Sequence, residues 1–139
     1  MLKISGNKLV LTFGCILSIC TGTLIYALFR ENTYISNIIM CFVDLTFLKS
    51  IFICLENSFT KYYLPDFLWA FSLSCGLCVI LNPKKNIDVF LYSGISFFFG
   101  LIYEILQICK VINGTGDIID IALYFLASLT VSLISLRRV

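Results

Sequence analysis

The sequence predicts an all-α, polytopic transmembrane helical bundle with four spans and an interfacial or re-entrant helical segment. It forms a single integral membrane domain over residues 1–139. Three observations predict this. Hydrophobic residues make up 60% of the chain, while charged residues make up only 13%. A soluble domain carries roughly 25% charged residues to cover its core. The mean hydropathy is +1.00. Finally, the apolar residues gather into runs close to the about 20 residues a helix needs to cross a bilayer.

The first span covers residues 9–29, without a charge. It is longer than the apolar stretch of a cleaved signal peptide, and Ile19 before Cys20 stands where a lipoprotein box needs a small residue. A retained span is expected. Residues 34–55 are apolar but hold Asp44 and Lys49. Each would cost about 2.5–3.5 kcal/mol at the centre of a spanning helix, so an interfacial or re-entrant path is expected there. The second span, residues 65–81, opens with Pro65-Asp66. The third, residues 87–109, carries Asp88 near one end and Glu104 near the other. The fourth, Ile118–Leu136, is closed by Arg137 and Arg138.

Several function classes drop out. The chain has no histidine, which removes histidine catalysis and histidine metal ligation. Its ten basic residues are scattered, giving no nucleic-acid surface. Seven cysteines sit mostly in apolar runs and read as small hydrophobes; Cys75-Gly-Leu-Cys78 has no electropositive neighbour to make a redox pair. Lys and Arg set the orientation. With four spans and cytoplasmic termini, Lys3, Lys8, Lys84, Lys85, Arg137 and Arg138 face in, against Arg30, Lys49, Lys61 and Lys110 outside. Seven of the eight carboxylates then face out, with Asp88 the exception.

The carboxylates near the chain's end form the candidate site. Glu104 and Gln107 share a helix face with Ser93, Ser96 and Gly100, small residues that admit a neighbouring helix. Asp117, Asp120, Tyr124 and Ser128 form a stripe on the last span. The connection between them holds Asn113-Gly114 and Gly116, a turn signature, so the two helices should be antiparallel neighbours. Asp66 enters at the same level. Carboxylates this close need a bound cation, a cationic partner or a proton. Polar groups held in a membrane are a functional-site hypothesis by default. Structural roles compete: Asp117 as a helix cap, Asp120 in a first turn, Asp66 after a helix-opening proline, Glu104 and Gln107 as interhelical glue. Trp69 and Phe97–Phe99 read as interface anchor and lipid-facing bulk. Asn113-Gly-Thr115 matches a glycosylation sequon too close to the membrane to use. No metal-ligand motif is present, although oxygen ligands such as these suit a divalent cation such as Mg²⁺.

The run "YEILQ" followed by "GTGDIIDIALYFLAS" resembles the C-terminal signature of the VanZ-like family of bacterial membrane proteins. There a Glu-x-x-Gln pair ends one span and Asp-x-x-Asp opens the next, matched by Glu104, Gln107, Asp117 and Asp120. "LPDFLWAFSL" is similar to the family's earlier span, with Asp66 in register. Phe67 and Ala70 stand where the family often has Lys and His. Tyr124 and Ala127 replace its later Asn and Gly. The likeness covers residues 64–128. It implies a bacterial cytoplasmic membrane, an outward acidic site at Asp66, Glu104, Gln107, Asp117 and Asp120, and a part in glycopeptide resistance of the teicoplanin type. The ligand expected there is a lipid head group, a lipid-linked envelope precursor or the drug.

Two other classes compete. One is an intramembrane enzyme on a lipid-linked substrate, with Glu104 as acid/base and the aspartates holding Mg²⁺ through water. The other is a structural or assembly subunit, in which the polar stripes hold helices together. The sequence leaves the oligomeric state open.

Overall fold

The computed structural model describes residues 6–30, 34–40, 45–114 and 116–136. Its helices are α1 (Gly6–Phe29), α2 (Tyr34–Met40), α3 (Leu45–Phe52), α4 (Leu64–Leu81), α5 (Asn86–Ile108) and α6 (Ile118–Leu136). Among the described residues there is no strand. Among the described residues, four helices are long and apolar enough to cross a membrane: Lys8–Phe29, Phe59–Leu81, Asn86–Ile108 and Ile118–Leu136. The chain is therefore an all-α membrane protein. Lys3, Arg137 and Arg138, used above to orient it, and Glu31 and Asp44 lie outside the described residues.

Two parts of the sequence reading are refined. Residues 34–55 break into the seven-residue α2, the eight-residue α3 and a 3₁₀ turn at Ile53–Leu55, each too short to cross a bilayer. Leu45, Ile35, Ile39 and Leu48 pack against Ala27, Leu28 and Phe29 at the end of α1. The second span begins earlier than Pro65, with a π-helical turn at Phe59–Tyr63 leading into α4. Proline supplies the reason. Pro65 has no N–H to give to the carbonyl four residues back, so the ladder shifts register before it. Leu64 N–H instead reaches Phe59 O, five residues back.

α4 packs on α1, α5 and α6, and α5 also packs on α6. The interior is small and polar. α4 buries Ala70, Ser72, Ser74, Cys75 and Cys78; α6 buries Ala127, Ser128, Val131, Ser132 and Ser135. Large side chains such as Phe13, Ile80, Phe98 and Leu133 point outward, with Phe98 60% exposed. A soluble bundle has the opposite arrangement. In lipid the exterior is already apolar, so helices associate through close packing and interhelical hydrogen bonds.

Those bonds form a serine thread. Ser72 Oγ donates to Cys15 O at 2.8 Å, joining α4 to α1. Ser74 Oγ donates to Ser93 O at 3.2 Å and also hydrogen-bonds Ser96 Oγ, joining α4 to α5. Ser93 and Ser132 hydroxyls lie 2.6 Å apart, joining α5 to α6. Each such bond contributes about 0.6 kcal/mol on average in a membrane. The α1–α4 contact is equally close. A Cβ on Gly22 would sit 3.1 Å from Leu68 Cβ and from the Trp69 ring.

Gly22→Val should push α1 off α4 and lower unfolding free energy by about 1–3 kcal/mol. Thermal unfolding in detergent, followed through Trp69 emission, checks this; an unchanged melt would contradict the contact.

Candidate functional site

The four spanning helices alternate in direction. The C-terminal ends of α1 and α5 therefore meet the N-terminal ends of α4 and α6 at one end of the bundle. A cavity of about 590 Å³ lies there, lined by Arg30 from α1's end, Asp66 and Trp69 from α4, Glu104 and Gln107 from α5, and Asp120 and Tyr124 from α6. Four of the five sequence-selected residues thus share one cavity. The fifth, Asp117, does not line it and serves the site from behind.

Glu104 is the most enclosed of them, only 2% exposed. Its two oxygens are both engaged. Oε2 accepts the Asp117 backbone N–H at 2.9 Å, and Oε1 accepts the Tyr124 hydroxyl at 3.2 Å. A carboxyl group in a dry interior needs such partners. Glu104 therefore ties α5 to the start and first turns of α6. A role for it as acid/base would require releasing one of these two bonds.

Asp117 caps α6: its Oδ1 accepts the Ile119 N–H at 3.0 Å. Its Oδ2 accepts the Tyr63 hydroxyl at 3.1 Å, which holds the π turn before α4 against the α5–α6 connection. The structural role weighed for this residue from sequence is what its geometry provides. Asp120 differs. It lies in the first turn of α6, lines the cavity, and its Oδ1 is buried without a hydrogen-bond partner.

The connection between α5 and α6 is shaped by two glycines. Gly114 has φ +147°, and a Cβ there would strike the Gln107 amide. A Cβ on Gly116 would come within 2.9 Å of Glu104 O. At mid-wall, a Cβ on Gly100 would run into the Tyr124 ring. Glycine at 100 is what lets Tyr124 reach Glu104.

Sequence reasoning placed Arg30 in an outer loop and missed its part in the site. Its guanidinium lies 3.8 Å from Asp66 Oδ2. It also donates to Lys61 O at 3.3 Å and Tyr62 O at 3.1 Å, and stacks over Tyr26 at 4.8 Å and Tyr62 at 5.6 Å. Lys61 O is the carbonyl that Pro65 cannot serve. The proline break thus creates the acceptor that α1's arginine satisfies. The sequence signal was Tyr26 one turn before Arg30, at the end of a span whose level matches Asp66. Trp69, read from sequence as an interface anchor, lines the cavity with its ring 5.1 Å from Tyr26 and its indole nitrogen 3.4 Å from Thr23 Oγ1. Phe98 and Phe99 are exposed, as lipid-facing bulk should be, although Phe99 also borders the cavity.

Among the described residues no group of three or more His, Cys, Asp or Glu side chains is close enough to hold one metal ion. The carboxylates are spread around the wall rather than gathered on a point. That arrangement suits an extended ligand with separate polar contacts.

Arg30→Gln should lower stability by about 1–3 kcal/mol, since it leaves Asp66 and Lys61 O short of donors. Arg30→Lys should not restore it, because an ammonium lacks the planar fork that serves two carbonyls and a carboxylate together. Thermal melts of both variants check this; a wild-type melt for the lysine variant would contradict it.

Compared with family models, curated proteins and solved structures, the chain has no match.

Proposed function

We propose that this chain is a VanZ-like protein of the bacterial cytoplasmic membrane, with both termini inside and an outward-facing acidic site that binds an envelope ligand and contributes to teicoplanin-type resistance. One observation carries the site. Asp66, Glu104, Gln107 and Asp120, drawn from three helices, line a single cavity with Arg30 as its cation. The family likeness rests on the spacing of Glu104, Gln107, Asp117 and Asp120 in the sequence, with Asp66 in register on the earlier span. The outward orientation rests on the lysines and arginines, and it is consistent with an agent acting at the cell surface.

Binding accounts for this geometry better than the metal-assisted enzyme reading does. Glu104, its acid/base, already has both oxygens engaged. A pure assembly role is supported by the serine thread, but it leaves the cavity and the unpartnered Asp120 Oδ1 without a purpose.

In a teicoplanin-sensitive Gram-positive host, wild type should raise the inhibitory concentration several-fold. Glu104→Gln and Asp120→Asn should return it to the empty-host value at equal membrane abundance, read by blot. Protection by the variants equal to wild type would remove the site reading. No protection by wild type would remove the resistance reading.

A further inference from the structure

We infer that the cavity's ligand is a membrane lipid with a primary-amine head group, reaching it sideways from the bilayer through the gap between α1 and α5. The inference rests on the acidic-site reading above and gives that site its ligand class.

The gap follows from the packing. α1 packs on α4, and α5 packs on α4 and α6, but α1 and α5 are not a packed pair among the described residues. Yet Tyr26 on α1 and Phe99 and Tyr103 on α5 line the same cavity, whose floor is Asp66, Trp69, Ala70 and Leu73 of α4. The cavity is therefore a cleft between two spans that flank α4. Such a cleft opens toward lipid, and both Phe99 and Tyr103 are exposed at its side.

Its depth fits an amphiphile. Leu73 lies nine residues into α4, roughly 13 Å along the helix axis from Leu64. The cavity therefore reaches well into the span that begins at Phe59. The deep wall carries Leu73, Phe99 and Ser96, and the other end carries Arg30, Asp66, Glu104, Gln107 and Asp120. A volume of about 590 Å³ takes a head group and the upper part of an acyl chain.

Charge and donor count choose the head group. Three carboxylates face one guanidinium, which is already shared between Asp66 and two backbone carbonyls. Glu104 has both its donors. Among the described residues, Asp120 Oδ1 has no donor. A primary ammonium supplies N–H groups and a positive charge together, while the lipid phosphate would sit toward Arg30 at the rim. A quaternary ammonium brings charge without a donor. An anionic head group adds to the carboxylate repulsion.

The chain's single tryptophan, Trp69, lines the cleft and is a built-in probe. The full-length protein would be placed in unbrominated phosphatidylcholine vesicles. Phosphatidylethanolamine, phosphatidylcholine or phosphatidylglycerol, each dibrominated on one acyl chain, would then be titrated in. The ethanolamine lipid should quench Trp69 with a relative binding constant roughly tenfold above the other two, as one charge-assisted hydrogen bond would give. Asp120→Asn should erase that preference while keeping the helical circular dichroism. Equal quenching by all three lipids overturns the inference, as does stronger quenching by the glycerol lipid. A preference that survives Asp120→Asn also overturns it. Should that variant fail to fold, the three-lipid comparison on wild type decides alone. Drug protection without lipid preference would sink only this ligand class, and lipid preference without protection only the resistance reading.

Discussion

The carboxylate of Glu104 sets the terms for its end of the bundle. An oxygen pair only 2% exposed must find donors within the protein, since lipid offers none. The Asp117 N–H and the Tyr124 hydroxyl are those donors. Each makes a further demand. Asp117 can present its N–H only if the α5–α6 connection folds back tightly, which requires glycine at 114 and 116. Tyr124 can reach only if Gly100 leaves room for its ring. One buried carboxyl group thereby fixes the turn, the register of α6 against α5, and the position of Asp120 on the cavity wall.

A second constraint acts on the other side of the cavity. Pro65 deprives Lys61 O of its helical donor, and the chain answers with a π turn and with Arg30 from α1. π turns inside helices are frequent at functional sites because they free backbone groups and re-aim side chains. Here the freed carbonyl draws in a cation, and the cation stands beside Asp66. The Tyr63–Asp117 bond then ties this π turn to the α6 cap. Both halves of the cavity are mechanically linked through two residues that do not line it.

Packing along the rest of the bundle keeps α4 in contact with three neighbours at once. Only small side chains permit that, and serine adds hydrogen bonds without adding bulk. The consequence for function is geometric. Because α4 separates α1 from the α5–α6 pair, a cleft is left between α1 and α5 where a ligand can lie.

Hydropathy and charge in the sequence were enough to determine the four spans, because crossing a bilayer demands a long apolar run whatever its neighbours are. The spacing of Glu104, Gln107, Asp117 and Asp120 was also legible, since helical periodicity fixes which residues share a face and the glycine-rich turn fixes which helices adjoin. Tertiary structure alone decided the rest. It brought Arg30 to Asp66 across thirty-six positions, seated Trp69 on the cavity wall, and decided for Asp117 between the wall and the cap. Those outcomes depend on which faces of non-adjacent helices meet. Small buried residues such as Gly22, Ser72 and Ser74 set that meeting by local fit, and local fit leaves no periodic trace in a uniformly apolar sequence.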